Sequence, residues 1–348
     1  MWIWWLAACL SVVDEPAFED AEEAMDSETT DTVDTTDTVD TTDTVDTDDT
    51  MDTDDTVPGE TDPPDTDDTD DTEDTPDTQD TAPATPADHV TAHGLTFTWI
   101  PPGSFTMGCE PGRDDPCDDD ESPAHSVTLT TGFYMSTTEL TRGAWSTLLQ
   151  HDPTDNDDCT AANCPAAEFT WYEALDFANA LSDDEGLARC YTTDCSGAGA
   201  ARTCTSGGLD SQWVRAQDCP GYRLPTEPEW EYAARAGTDD AYAGGDDPTD
   251  YAWFDLSGDP VAVAGKLPNA WGLYDMGGNV REWCDDALAD YGLAARTDPQ
   301  PWYGNAVRVL RGGSGSSPQT GVRVAGRDAN GPTVRWPFYG ARLVRSVP

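Results

Sequence analysis

Apolar and polar residues alternate from Gly94 to Thr106 and then meet Pro101-Pro102-Gly103, which predicts short strands in a hairpin-like start. Ser126–Thr130 and Phe133–Met135 read as further short strands. The pattern then changes to helical spacing. Thr141 is placed to cap a helix running to Gln150, with Trp145, Leu148 and Leu149 on its inner side. Thr170 and Glu173 form a capping box that opens a helix to Leu181, with Ala174, Leu175, Ala178 and Leu181 as its buried stripe. Thr226 and Glu229 form another, ahead of a helix that turns Trp230, Ala233 and Ala234 inward and stops at Gly237. Between and after these helices neither period is strong. Ten of the 13 tryptophans are spread through this part of the chain, so the pattern predicts an α+β domain whose irregular segments are pinned by large side chains.

Upstream the pattern is different in kind. Residues 14–88 are mostly Thr, Asp, Glu and Pro, with single apolar residues at Val33, Val39, Val45, Met51 and Val57. One small apolar group in six cannot offset the entropy of ordering the chain, and like charges extend it. A disordered spacer follows, with a reach between roughly 50 Å as a coil and about 260 Å at full contour. Residues 1–88 hold 31 acids and no Lys or Arg; residues 89–348 hold 38 acids and all 17 bases. Nucleic acid is a poor partner for either part, because phosphate binding needs clustered positive charge. Residues 89–348 are long enough to bury one large core.

The first 13 residues begin MWIWWLAACL, an apolar run too short to span a bilayer. Leu6-Ala7-Ala8-Cys9 has the form of a bacterial lipobox, in which the cysteine is lipidated. The expectation is export and a lipid anchor at Cys9 in the cell envelope, with plain secretion as the alternative. Of the other nine cysteines, eight sit in polar loops and read as disulfides. Two short loops, Cys109–Cys117 and Cys159–Cys164, suggest their own closures; Cys190, Cys195, Cys204 and Cys219 leave their pairing open. Cys284 is the odd one, free or buried.

Asn269–Trp283 (NAWGLYDMGGNVREW) combines three glycines with Asp275 and Glu282. A glycine turn can aim carbonyl oxygens at one spot on which both carboxylates close, the all-oxygen cage that calcium takes. The plainer reading is a turn whose Asp bonds its own backbone while its Glu meets solvent.

Four motifs in order, RLPTEPEWEYAARAG (223–237), GLYDMGGNVREW (272–283), VLRGGS (309–314) and YGAR (339–342), together resemble the formylglycine-generating enzyme family, or sulfatase-modifying factor domain. FTMG (105–108) and the helix from Trp171 fit its amino-terminal half. The resemblance covers residues 94–346 and implies a C-type-lectin-like α+β fold with little regular structure. It also implies a structural calcium on the side chains of Asp275 and Glu282 and the backbone carbonyls of Gly278 and Val280, with Asp275 where Asn is common.

Family enzymes convert a substrate cysteine to formylglycine with oxygen and copper held by two cysteines. The aligned positions here are Ser317 and Val322, and no cysteine follows Cys284. Soft thiolates are what Cu(I) selects, so copper chemistry is not expected. Arg281 also stands where Trp is frequent. The resulting expectation is a surface protein whose degenerate domain binds a peptide, a glycan or a partner protein. Arg311, Ser314, Ser317, Arg323 and Arg327 are its candidate ligand contacts, with structural ion pairing as the other role for Arg323, Arg327, Arg335 and Arg342. A formylglycine-generating oxidase and a structural envelope protein are the rivals.

Overall fold

A computed structural model describes residues 86–347, apart from 156–158, 258–259, 302 and 305. Cys9 and the Thr/Asp-rich repeats lie outside the described residues. The chain enters through β1 (His89–Val90), β2 (Thr96–Ile100), β3 (Gly103–Met107), β4 (His125–Leu129) and β5 (Phe133–Ser136). Strands β2 and β3 do not form the expected hairpin. The Pro101-Pro102 break hands the chain from one sheet to another: β2 pairs with β5, and β3 pairs with β4.

Helix α1 (Arg142–Leu149) is capped by the Thr141 side chain, which accepts from the Ala144 N–H. Helix α2 (Trp171–Asp184) has the full Thr170/Glu173 capping box and runs three residues beyond the expected end. Its expected stripe is completely buried, together with Trp171 and Phe177. Trp145 of α1 stacks on Phe169 and Phe177, with ring centroids 4.4 and 4.9 Å apart.

Between α2 and the next helix stand β6 (Tyr191–Ser196) and β7 (Thr203–Leu209), an antiparallel pair that the sequence pattern did not reveal. After β8 (Tyr222–Arg223) comes α3 (Glu227–Arg235), capped by Thr226/Glu229 and ended at Ala236, which takes the left-handed conformation just before Gly237. Trp230, Ala233 and Ala234 are fully buried, as the spacing predicts.

The remaining strands are β9 (Arg281–Ala287), β10 (Arg296–Thr297), β11 (Arg308–Arg311), β12 (Arg327–Asn330), β13 (Tyr339–Gly340) and β14 (Val344–Ser346). They complete a five-stranded sheet β1-β2-β5-β14-β8, a three-stranded sheet β10-β4-β3 and a four-stranded sheet β12-β11-β9-β13. One apolar cluster gathers α1, α2 and Trp283; another gathers α3, Met107, Met276 and Cys284. The α+β class with short strands is the one observed.

Four disulfides close the loops: Cys109–Cys117, Cys159–Cys164, Cys190–Cys219 and Cys195–Cys204. Cys284 is free and buried, and burial pushes its thiol well above the ordinary range.

Candidate functional site

The start of β9 and the end of β11 position the site. At its start, Gly278 has φ +86° and lies so close to Trp253 that an added Cβ would fall 1.6 Å from the Trp253 carbonyl oxygen. No side chain fits, which accounts for glycine at this turn. Its N–H donates to the Gly312 carbonyl (2.7 Å), tying the β9 turn to the Gly312-Gly313 turn that follows β11. Gly313 is equally restricted: a Cβ there would meet the Gly321 carbonyl oxygen at 2.3 Å.

The two turns bring Arg281 over Ser314 and Ser317. Its Nη1 donates to Ser314 Oγ (2.8 Å), its Nη2 to Ser317 Oγ (3.3 Å), and its Nε pairs with Asp328 Oδ2 (2.8 Å). Ser317 Oγ also accepts the Ser314 N–H at 3.0 Å. Hydroxyls held this way are hydrogen-bonding groups rather than soft metal ligands. Val322 is buried, with its Cγ1 against Gly313.

Beside them opens a cavity of about 300 Å³. Of the five residues expected to contact ligand, Ser317, Arg323 and Arg327 line it. Arg311 and Ser314 do not; they are buried behind it. The arginines answer to acids within the fold. Arg311 pairs with Glu231 (2.5 Å), Arg323 with Glu121 (2.9 Å) and Arg327 with Glu227 (2.6 Å). Burial opposes the charge on Glu227, but Arg327 and Arg311 outweigh it and hold the carboxyl below its ordinary range. Arg281 and Asp328 were missed as site residues. In the sequence Arg281 stands out only as a departure from Trp, and its partner lies 47 positions away.

The carboxylates of the β9 turn lie deeper. Glu282 accepts from Arg342 through both oxygens (2.6 and 2.7 Å) and from Trp230 Nε1 (2.7 Å). Rather than meeting solvent, it is 1% exposed. Asp275 accepts from Trp253 Nε1 (3.1 Å) and the Ala264 N–H (2.7 Å), and burial raises its carboxyl above the ordinary range. A third acid, Glu139, accepts from the Val280 N–H (3.1 Å) and Asn279 Nδ2 (2.8 Å). Burial, then the charges of Asp275 and Glu282, push Glu139 well above its ordinary range against the pull of Arg342.

His89 and His93 turn to different partners: His89 contacts Glu185 and Tyr222, whereas His93 contacts Thr147 and Asp184.

The sequence profile described as "Sulfatase-modifying factor enzyme 1-like domain" matches residues 81–347. The chain belongs to that family. It is 30% identical over 246 residues to the chaperone protein LppX of Paenibacillus barcinonensis, covering 64% of this chain and 82% of that one. It is likewise 30% identical over 268 residues to the formylglycine-generating enzyme of Streptomyces coelicolor, covering 67% and 83%. Among solved structures it resembles Treponema denticola variable protein 1, with TM-score 0.64 and 28% identity, over 76% of this chain and all of that one. Relatives named for a chaperone and for an enzyme share this fold, so the function has to be argued from the site.

Proposed function

We propose that this is an exported, membrane-anchored surface protein whose sulfatase-modifying-factor-type domain binds a ligand and does not oxidise one. The observation that carries the reading is the Arg281 guanidinium, bonded to the hydroxyls of Ser314 and Ser317 and paired with Asp328. Ser317 is one of the two positions where the family resemblance puts a copper thiolate. A cation and two hydroxyls offer Cu(I) nothing it selects. They do offer a pocket of fixed hydrogen-bonding groups.

Four disulfides support an oxidising compartment, and the Leu6–Cys9 sequence supports a lipid anchor at Cys9, with the acidic segment as spacer. The test is turnover. The full chain, supplied with copper, oxygen and a cysteine peptide of sulfatase type, is expected to leave the cysteine unmodified by mass spectrometry. Formylglycine appearing at a rate set by enzyme concentration would contradict the reading.

The proposal includes a structural calcium held by Asp275, Glu282 and the backbone carbonyls of Gly278 and Val280. The donor set is all oxygen. The acids Glu139, Asp275 and Glu282 are buried together against one guanidinium, Arg342, an imbalance that a divalent cation offsets. The ion would fix the β9 turn and take no part in chemistry. Calcium at a hundredfold excess over its Kd should raise Tm by roughly 5–10 °C relative to a chelator. Equal melting in both conditions would remove the ion from the account.

A further inference from the structure

Resting on the binding reading above, we propose that the pocket beside Ser317 takes a neutral saccharide. Ligand pockets are ordinarily lined mainly by apolar side chains. This one is not: apart from prolines and glycines, every residue lining it is charged or carries a hydroxyl. A hydrophobic peptide anchor finds only the rings of Pro116 and Pro318 to bury against, whereas a ligand covered in hydroxyls finds partners throughout.

Charge narrows the class further. Each arginine lining the cavity already faces an acid: Arg281 faces Asp328, Arg323 faces Glu121 and Arg327 faces Glu227. Asp118 adds a carboxylate at the rim and is 74% exposed. A phosphate, sulfate or carboxylate would therefore meet compensated cations and one extra negative charge. A neutral polyol avoids that cost.

The Arg281–Asp328 pair suits such a ligand. It holds an Asp328 carboxylate oxygen 2.8 Å from the Arg281 guanidinium, with the Asp328 side chain 46% exposed. Each hydroxyl of a vicinal diol both donates and accepts, so adjacent hydroxyls can bridge the two charged groups. An apolar face for the ring is available in the segment that bonds the Arg281 backbone. The Arg281 N–H donates to the Phe338 carbonyl (2.7 Å), and Trp336, two residues earlier, is 54% exposed. An exposed indole offers a flat apolar surface to the C–H face of a pyranose.

The experiment uses the full chain on an array of neutral oligosaccharides and on an array of peptides with and without cysteine. The wild type should bind one or more oligosaccharides, and Asp328→Ala and Trp336→Ala should each weaken that binding at least tenfold with unchanged Tm. Peptide binding without saccharide binding would overturn the ligand class and leave the binding function standing. Binding on neither array would overturn both. Saccharide binding indifferent to both substitutions would overturn the site.

Discussion

Asp285 sits on β9 with no solvent access, and the Tyr303 hydroxyl donates to its Oδ2 at 3.0 Å. Burial raises its carboxyl from 3.8 to about 7, although the Tyr303 hydrogen bond, Arg223 and Arg308 pull the other way. A raised folded-state value means that the native protein holds this proton more tightly than the unfolded chain does. The resulting stability is present in full below about pH 4 and is lost as pH rises through about 7. Asp285→Asn should reduce the stability difference between pH 4 and pH 8 by roughly 4 kcal/mol. Urea denaturation across that range measures it; an unchanged slope would show that the group is already ionised in the native state. At this scale the sequence was least informative. Arg323 meets Glu121 across 202 positions, and Glu139 reaches Asn279 across 140. A list of charges contains no such pairings: structural ion pairing of Arg323 and Arg327 is the role the structure bears out, but the sequence names neither their partners nor Glu139.

The helices were legible because their signals are local. A capping box and a stripe at helical spacing lie within one segment, and α1, α2 and α3 start at the residues those signals mark. Strand partners are set by the whole chain, which is why β2 and β3, three residues apart, entered different sheets. Strands β6 and β7 escaped notice because Gly, Ser, Thr and Cys give no apolar alternation. Their register is held by Cys195–Cys204, inside the longer Cys190–Cys219 closure. Closing a loop of 29 residues restricts the unfolded chain more than closing one of 5. Replacing Cys190 and Cys219 by Ala should therefore cost about 3.6 kcal/mol, against about 2 kcal/mol for Cys159 and Cys164. Denaturation of the two double variants compares them, and the reverse order would indicate that loop entropy is not what these bridges contribute.

For the molecule as a whole, four motifs in family order point to the architecture, and the fold follows them. Function was less legible, because it depends on what surrounds Ser317. The sequence showed two missing thiols. The structure adds what stands near them: Arg281 bonded to two serine hydroxyls, Asp328 facing it, and a polar cavity alongside. That arrangement presents hydrogen-bonding groups where the proposed reading puts recognition in place of copper. The most direct test is a competition titration of the full chain with Cu(I) under anaerobic conditions, disulfides intact. The account predicts no copper retained at the Ser317 pocket, with wild type and Ser317→Ala indistinguishable. One equivalent of tightly held Cu(I), lost on Ser317→Ala, would contradict it.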